Sequence, residues 1–175
     1  MIIPFNNIRP EISHDALISE TSVIIGDVHI GSQSSIWYNV VIRGDVNSIR
    51  IGNRTNIQDL SLLHVTGYNN ASSPGSPLEI GDNVTVGHGV TLHGCTLKNN
   101  VFIGMKAIVM DRVVVGEGAM VAAGSLVPEG TVISPGTLWM GAPAKFKRSL
   151  SPDEKIKFAE ITESYINLSK KYLNE

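Results

Sequence analysis

Isoleucine occupies positions 12, 18, 24, 30, 36 and 42, a strict six-residue step. After a slip of three residues the aliphatic lattice resumes at Ile51, Ile57 and Leu63, and beyond the turn-rich run "TGYNNASSPGSP" it returns at Ile80, Val86 and Leu92. One deletion shifts the phase, and Leu97, Ile103, Val109, Val115, Val121, Val127 and Ile133 complete the series. Glycine often follows at once, as in Ile30-Gly31, Ile51-Gly52, Ile80-Gly81 and Ile103-Gly104. A fixed period of six is the mark of a β-solenoid, in which each repeat supplies a short strand and a corner and turns its aliphatic residue toward a shared axis. A β-sandwich fits poorly, because its strands alternate without recurring at a constant short step. Each repeat is stable only against its neighbours, so the chain reads as one domain spanning residues 1–175.

The tail breaks the pattern. The exposed ends of such a stack need covering, and "SPDE" at 151–154 supplies an N-cap serine, a proline at the first helical position and a glutamate at the third. A helix is predicted over about 151–173, with Phe158, Ile161, Tyr165, Leu168 and Tyr172 on its apolar face and "KKYLNE" fraying at the end. That face is expected to pack on the side of its own prism or of a neighbour's.

Composition narrows the function. An apolar fraction of 42% supports a buried core, and 14 basic against 16 acidic residues give a net charge of -2. Such a balance lacks the basic footprint of a nucleic-acid or membrane-surface binder. The lone Cys95 forms no internal disulfide, "MIIPFNNIRPE" lacks a signal peptide's charged start and apolar core, and no apolar run is long enough to span a bilayer. A cytoplasmic protein is expected.

The remaining chemistry lies in histidines. His64 directly follows lattice residue Leu63 and His93 follows Leu92, so the two share a phase; His88 lies two beyond Val86, near a different corner. Residues next to an inward aliphatic point outward. Three outward imidazoles on stiff coils match the ligand set of a catalytic zinc site, where a fourth position is left for water. The plainer alternative, three unrelated surface histidines, explains the shared phase less well. One chain alone is not expected to close the cluster. His14 and His29 lack such company and read as surface residues, and Cys95 as a small buried side chain.

The lattice, over about positions 12 to 135, resembles the left-handed parallel β-helix of hexapeptide-repeat proteins, which implies a triangular prism of roughly six or seven coils. More specifically, "VIRGDV" at 41–46, "NIQDLSLLHV" at 56–65, "GHGVTLHGC" at 87–95 and "GAPAK" at 141–145 resemble the gamma-class carbonic anhydrase family. The resemblance implies a homotrimer that hydrates carbon dioxide to bicarbonate with zinc, or iron or cobalt in its place, at sites shared between subunits. It assigns the metal to His64 and His93 of one subunit and His88 of the next. It further assigns Gln58 to the metal-bound water, Asp59 as the adjacent acid, and Arg43 with Asp45 to trimer contacts and the site. Tyr165 takes the place of an active-site asparagine of some relatives. The chain departs from the family's pattern at the proton-shuttle glutamates: Val46 stands where one would fall, and "TGYNNASSPGSP" holds no acid. Slow turnover is the expected consequence.

Other hexapeptide-repeat proteins are acyltransferases that use acyl-coenzyme A with a histidine as general base. "GAPAK" is common to both groups, whereas the histidine triad with its "RGD" and "QD" companions favours the metal reading. A thioesterase working through the same metal-bound water, and a non-enzymatic trimer with a structural metal, complete the alternatives.

Overall fold

The computed structural model describes residues 1–68 and 75–174, so part of "TGYNNASSPGSP" lies outside the described residues. The chain is a parallel β-solenoid of about seven turns with one C-terminal helix. Lattice residues pair with their successors one coil on: Ile24 with Ile42, Val86 with Ile103, Ile103 with Val121. From Ile24 to Ile133 every lattice position is buried. Ile12 and Ile18 are only partly covered, because few strands lie beyond them at that end of the stack.

Many of the six-residue units carry two further signals. The residue two before the aliphatic is small and also buried, as at Val40, Val84, Val90, Val101, Ala107, Val113 and Ala119. The residue three before turns the corner in the left-handed backbone region, first with side chains such as Asn39, Asn83 and Asn100, then with Gly118, Gly124, Gly130 and Gly136.

The strands line three faces. The first stacks Leu62–His64, Thr91–His93, Ile108–Val109 and Leu126–Val127; the second stacks Leu78–Ile80, Thr96–Leu97, Val114–Val115 and Val132–Ile133. The long strand Val41–Ile51 rounds the corner between them and pairs with both, which makes one 12-stranded sheet. The third face is an 8-stranded sheet from Leu17–Ile18 to an antiparallel hairpin of Thr137–Gly141 and Ala144–Ser149. This hairpin was not foreseen: "GAPAK" forms its turn, with a cis Ala142–Pro143 bond, and it covers the end of the third sheet.

The helix, Pro152–Leu173, begins with the expected capping box of Ser151 and Glu154. It lies on the chain's own third face, against the strands Leu17–Ile18, Ser35–Ile36, Asn56–Ile57 and Thr85–Val86. One expectation is corrected in part. Of the expected apolar face, Phe158 stacks on Phe102, and Tyr165 and Tyr172 pack edge-on against Trp37, while the most buried stripe is Thr162, Ile166 and Ser169 and Leu168 stays exposed, because the strands beneath also present small polar residues such as Ser35, Asn56 and Thr85. The helix runs through Leu173, and the Asn174 side-chain amide donates to the Lys170 carbonyl at 2.7 Å. Among the described residues no helix is long and apolar enough to cross a membrane.

The lattice's irregularities share one location. The slip between Ile42 and Ile51, the insertion between Leu63 and Ile80 and the deletion between Leu92 and Leu97 all fall at the corner joining the first and second faces. His64, His93 and Asp45 occupy that corner.

Candidate metal centre

His93 stacks on His64 in parallel register, one coil apart. Their rings meet at 61°, and His64 Nδ1 lies 3.1 Å from His93 Nε2. The other nitrogen of each ring faces a carboxylate. His64 Nε2 is 3.2 Å from Asp45 Oδ1, and His93 Nδ1 is 2.9 Å from Asp111 Oδ2. A carboxylate can only accept, so it draws the ring proton to its own side and leaves the opposed nitrogens as bare lone pairs. Two lone pairs at that distance repel unless a cation lies between them. Metal–nitrogen bonds of about 2.0–2.1 Å in tetrahedral geometry separate two ligand nitrogens by about 3.3 Å, close to what is found here. The donor set therefore fits a metal ion.

At His64 the surroundings favour neutral imidazole, the ligand form. Burial lowers the pKa of His64; the hydrogen bond to Asp45 opposes this, and the charges of Arg43 and His93 reinforce it. Burial of Asp45 works against its ionisation, but the hydrogen bonds from Arg43 and His64 outweigh it and hold the carboxyl below its usual range. The Arg43–Asp45 contact is 2.8 Å. The three extra residues of the slip let the chain bulge there and carry Asp45 to His64.

His88 stands apart, on the turn between Thr85–Val86 of the third face and Thr91–His93 of the first. Its Nδ1 is 2.8 Å from Asp59 Oδ2, and it is half-exposed. It thus repeats the histidine–carboxylate pairing at a second corner. Among the described residues no three or more histidine, cysteine, aspartate or glutamate side chains gather into a metal cluster within the chain.

Gln58 is buried and donates from Nε2 to Asn56 Oδ1 at 3.0 Å; its described partner is Asn56, not a histidine. Tyr165 packs edge-on against Trp37 at 5.5 Å, and burial, with the charge of Asp59 second, pushes its phenol up. Cys95 is buried and burial pushes its thiol up, which suits an inert packing residue. His14 and His29 are exposed.

Asp111, Thr66 and Asn56 escaped sequence reasoning. Asp111 lies 18 residues after His93, one coil on, and Thr66 Oγ1 donates to it at 2.7 Å. Asn56 is two residues before Gln58 and so shares its outward face. Coil step would have found Asp111 and strand alternation Asn56; Thr66 is found only through Asp111.

Fold and centre together define a hexapeptide-repeat solenoid with carboxylate-braced histidines along one corner. The bacterial transferase hexapeptide (six repeats) family matches residues 94–129. The carbonic anhydrase of Geobacillus kaustophilus is 49% identical over 172 residues, covering 98% of this chain and 91% of that protein. Gamma carbonic anhydrase 2, mitochondrial, of Arabidopsis thaliana is 48% identical over 166 residues, and there the chain spans only 59% of the relative's length. An X-ray structure from Bacillus cereus, described provisionally as an acetyltransferase, superposes with a TM-score of 0.92 at 43% identity, covering 98% of this chain and 95% of that one. The chain belongs to the gamma-class carbonic anhydrase family.

Proposed function

We propose that the protein is a gamma-carbonic anhydrase-like enzyme that hydrates carbon dioxide to bicarbonate at metal centres shared between the subunits of a homotrimer. The observation that carries this is the opposed pair His64 Nδ1 and His93 Nε2 at 3.1 Å, each ring braced from behind by a carboxylate. His64 and His93 of one subunit and His88 of its neighbour would hold zinc, or iron or cobalt. When bound, the ion supplies a water acidic enough to ionise near neutral pH.

The chain's own residues do the rest. Asp45, Asp59 and Asp111 fix the tautomer and orientation of the three imidazoles, which raises their basicity as ligands. Arg43 keeps Asp45 ionised for that purpose. Gln58 would offer its carbonyl oxygen to a metal-bound water, and Tyr165, whose phenol feels the charge of Asp59, would lie at the edge of the site. Val46 offers no base at the corner, so buffer or a water chain exports the proton. Leu62, Ile108 and Met110 lie exposed near the histidines on the first face, an apolar surface suited to burial against another copy of the chain. We place the protein in the cytoplasm, consistent with its single cysteine, although Arabidopsis relatives carry the word mitochondrial in their names.

The Bacillus cereus description keeps acyl transfer as the second reading. Purified protein should contain about one zinc-like ion per chain and hydrate carbon dioxide. Metal-free protein that turns over acyl-coenzyme A or thioesters, and leaves carbon dioxide untouched, would decide for the alternative.

A further inference from the structure

We propose that Thr162, on the C-terminal helix, is a positioning residue that fixes which end of the Gln58 amide is turned toward the metal centre; the assignment of Gln58 to that centre rests on the function proposed above. Four buried side chains form a line beneath the helix: Gln58, Asn56, Thr85 and Thr162. Gln58 Nε2 donates to Asn56 Oδ1 at 3.0 Å, and Asn56 Nδ2 donates to Thr85 Oγ1 at 2.8 Å. Thr85 and Thr162 hydroxyls are 3.0 Å apart, and Thr162 Oγ1 donates to the Phe158 carbonyl at 3.1 Å.

Counting hydrogens gives this line a direction. A threonine hydroxyl has one hydrogen, and a backbone carbonyl can only accept. Thr162 directs its one hydrogen at the Phe158 carbonyl, 3.1 Å away, and in that arrangement accepts from Thr85. Thr85, having donated, can only accept from Asn56, which must present its Nδ2. That leaves Asn56 Oδ1 to accept from Gln58 Nε2. The Gln58 carbonyl oxygen, to which no described residue donates, is then the end available to the centre, as an acceptor suited to a proton on bound water. A contact from Asn56 Nδ2 to the Val84 carbonyl at 3.5 Å favours the same orientation, but that carbonyl already accepts from the Asn56 backbone at 2.9 Å. Without the Thr162 hydroxyl, Thr85 is free to donate to Asn56 Oδ1. Both amides then turn over, and Gln58 presents Nε2 instead.

The chain has two glutamines, Gln33 and Gln58, so full-length protein labelled with side-chain 15N-glutamine gives two amide signals, and Gln33→Ala assigns them. In Thr162→Val the Gln58 signal should shift and its exchange with deuterium should accelerate on the order of tenfold, the effect of losing one ordered hydrogen bond, while Thr162→Ser behaves as wild type. Metal content should be normal in both, with carbon dioxide hydration lowered in the valine variant alone. If Thr162→Val loses its helix, Thr85→Val interrupts the same line from the strand and should give the same Gln58 response. Unchanged Gln58 exchange in a folded valine variant, or a serine variant that behaves like valine, would overturn the proposal whatever the activity. Wild-type protein inactive toward carbon dioxide would sink the enzyme reading and leave the amide result to judge the positioning role.

Discussion

At the scale of single residues, position along the stack decides what a substitution costs. Ile103 is fully buried with paired coils on both sides, so Ile103→Ala should lose about 2–5 kcal/mol in chemical denaturation. Ile12, partly exposed near the end of the stack, should lose less than half as much; equal losses would mean that the core is not built coil on coil. Asp111 tests the brace behind His93. Asp111→Ala should weaken metal binding by roughly 10- to 100-fold in a chelator competition, whereas Gln58→Ala should leave it near normal and lower activity only. Val46 tests proton export: rising concentrations of an imidazole buffer should raise the hydration rate, and a rate indifferent to buffer would place the slow step elsewhere. The inward aliphatics were legible one by one because burial and period select the same residue type. Asp111 was not, since an aspartate on a coil is ordinarily a solvated corner and only its placement one coil beyond His93 gives it a partner.

At the scale of elements, the helix shows what local signals can and cannot specify. Its start was legible because capping is decided within four residues: the Ser151 side chain accepts from the Glu154 N–H, and Glu154 accepts from the Ser151 N–H at 2.9 Å. Its packed face was legible only in part: Phe158, Tyr165 and Tyr172 meet aromatics of the prism, but the most buried positions are chosen by the strands it meets. Thr162 is buried as a hydrogen-bond partner of Thr85, a pairing across 77 residues that helical periodicity cannot see. The hairpin after Ile133 was missed for the same reason, since the lattice simply continues into Trp139, which pairs with Val121. The cap also has a pH signature. Hydrogen bonds from Arg148, then from the Ser151 N–H, hold Glu154 at about 2, below its ordinary value of 4.5. A carboxylate depressed in the folded state adds stability that is present above the unfolded pKa and is lost as pH falls through the folded one. Glu154→Gln keeps the capping pattern without the charge. Followed by helical circular dichroism, wild type should exceed the glutamine variant in stability at about pH 5, and the gap should close as pH falls from about 4.5 toward 2. A gap independent of pH over that window would show that the ionised carboxylate is not what stabilises the helix start.

At the scale of the whole molecule, the three departures from the six-residue lattice and the carboxylate-braced histidines occupy the same corner, while His88 sits at another. A regular prism offers only flat faces and repeated corners; the slip that brings Asp45 to His64 is what makes one corner chemically distinct. A five-residue spacing between His88 and His93 therefore serves two directions at once, with His93 facing His64 and His88 facing Asp59. If each centre takes His64 and His93 from one subunit and His88 from its neighbour, neither His64→Ala nor His88→Ala protein can complete a site as a homotrimer. In a mixed trimer an interface can draw His64 and His93 from the His88→Ala subunit and His88 from the His64→Ala subunit, and its ligands are then all wild type. With equal amounts and random assembly, about a quarter of interfaces meet that condition. Co-refolding the two variants should restore metal binding and activity to about that fraction, and dilution of either variant with a third, His64→Ala/His88→Ala, should lower it. An intrachain site would leave every subunit defective in any mixture, so verified mixed trimers without recovered metal would separate His88 from the centre formed by His64 and His93.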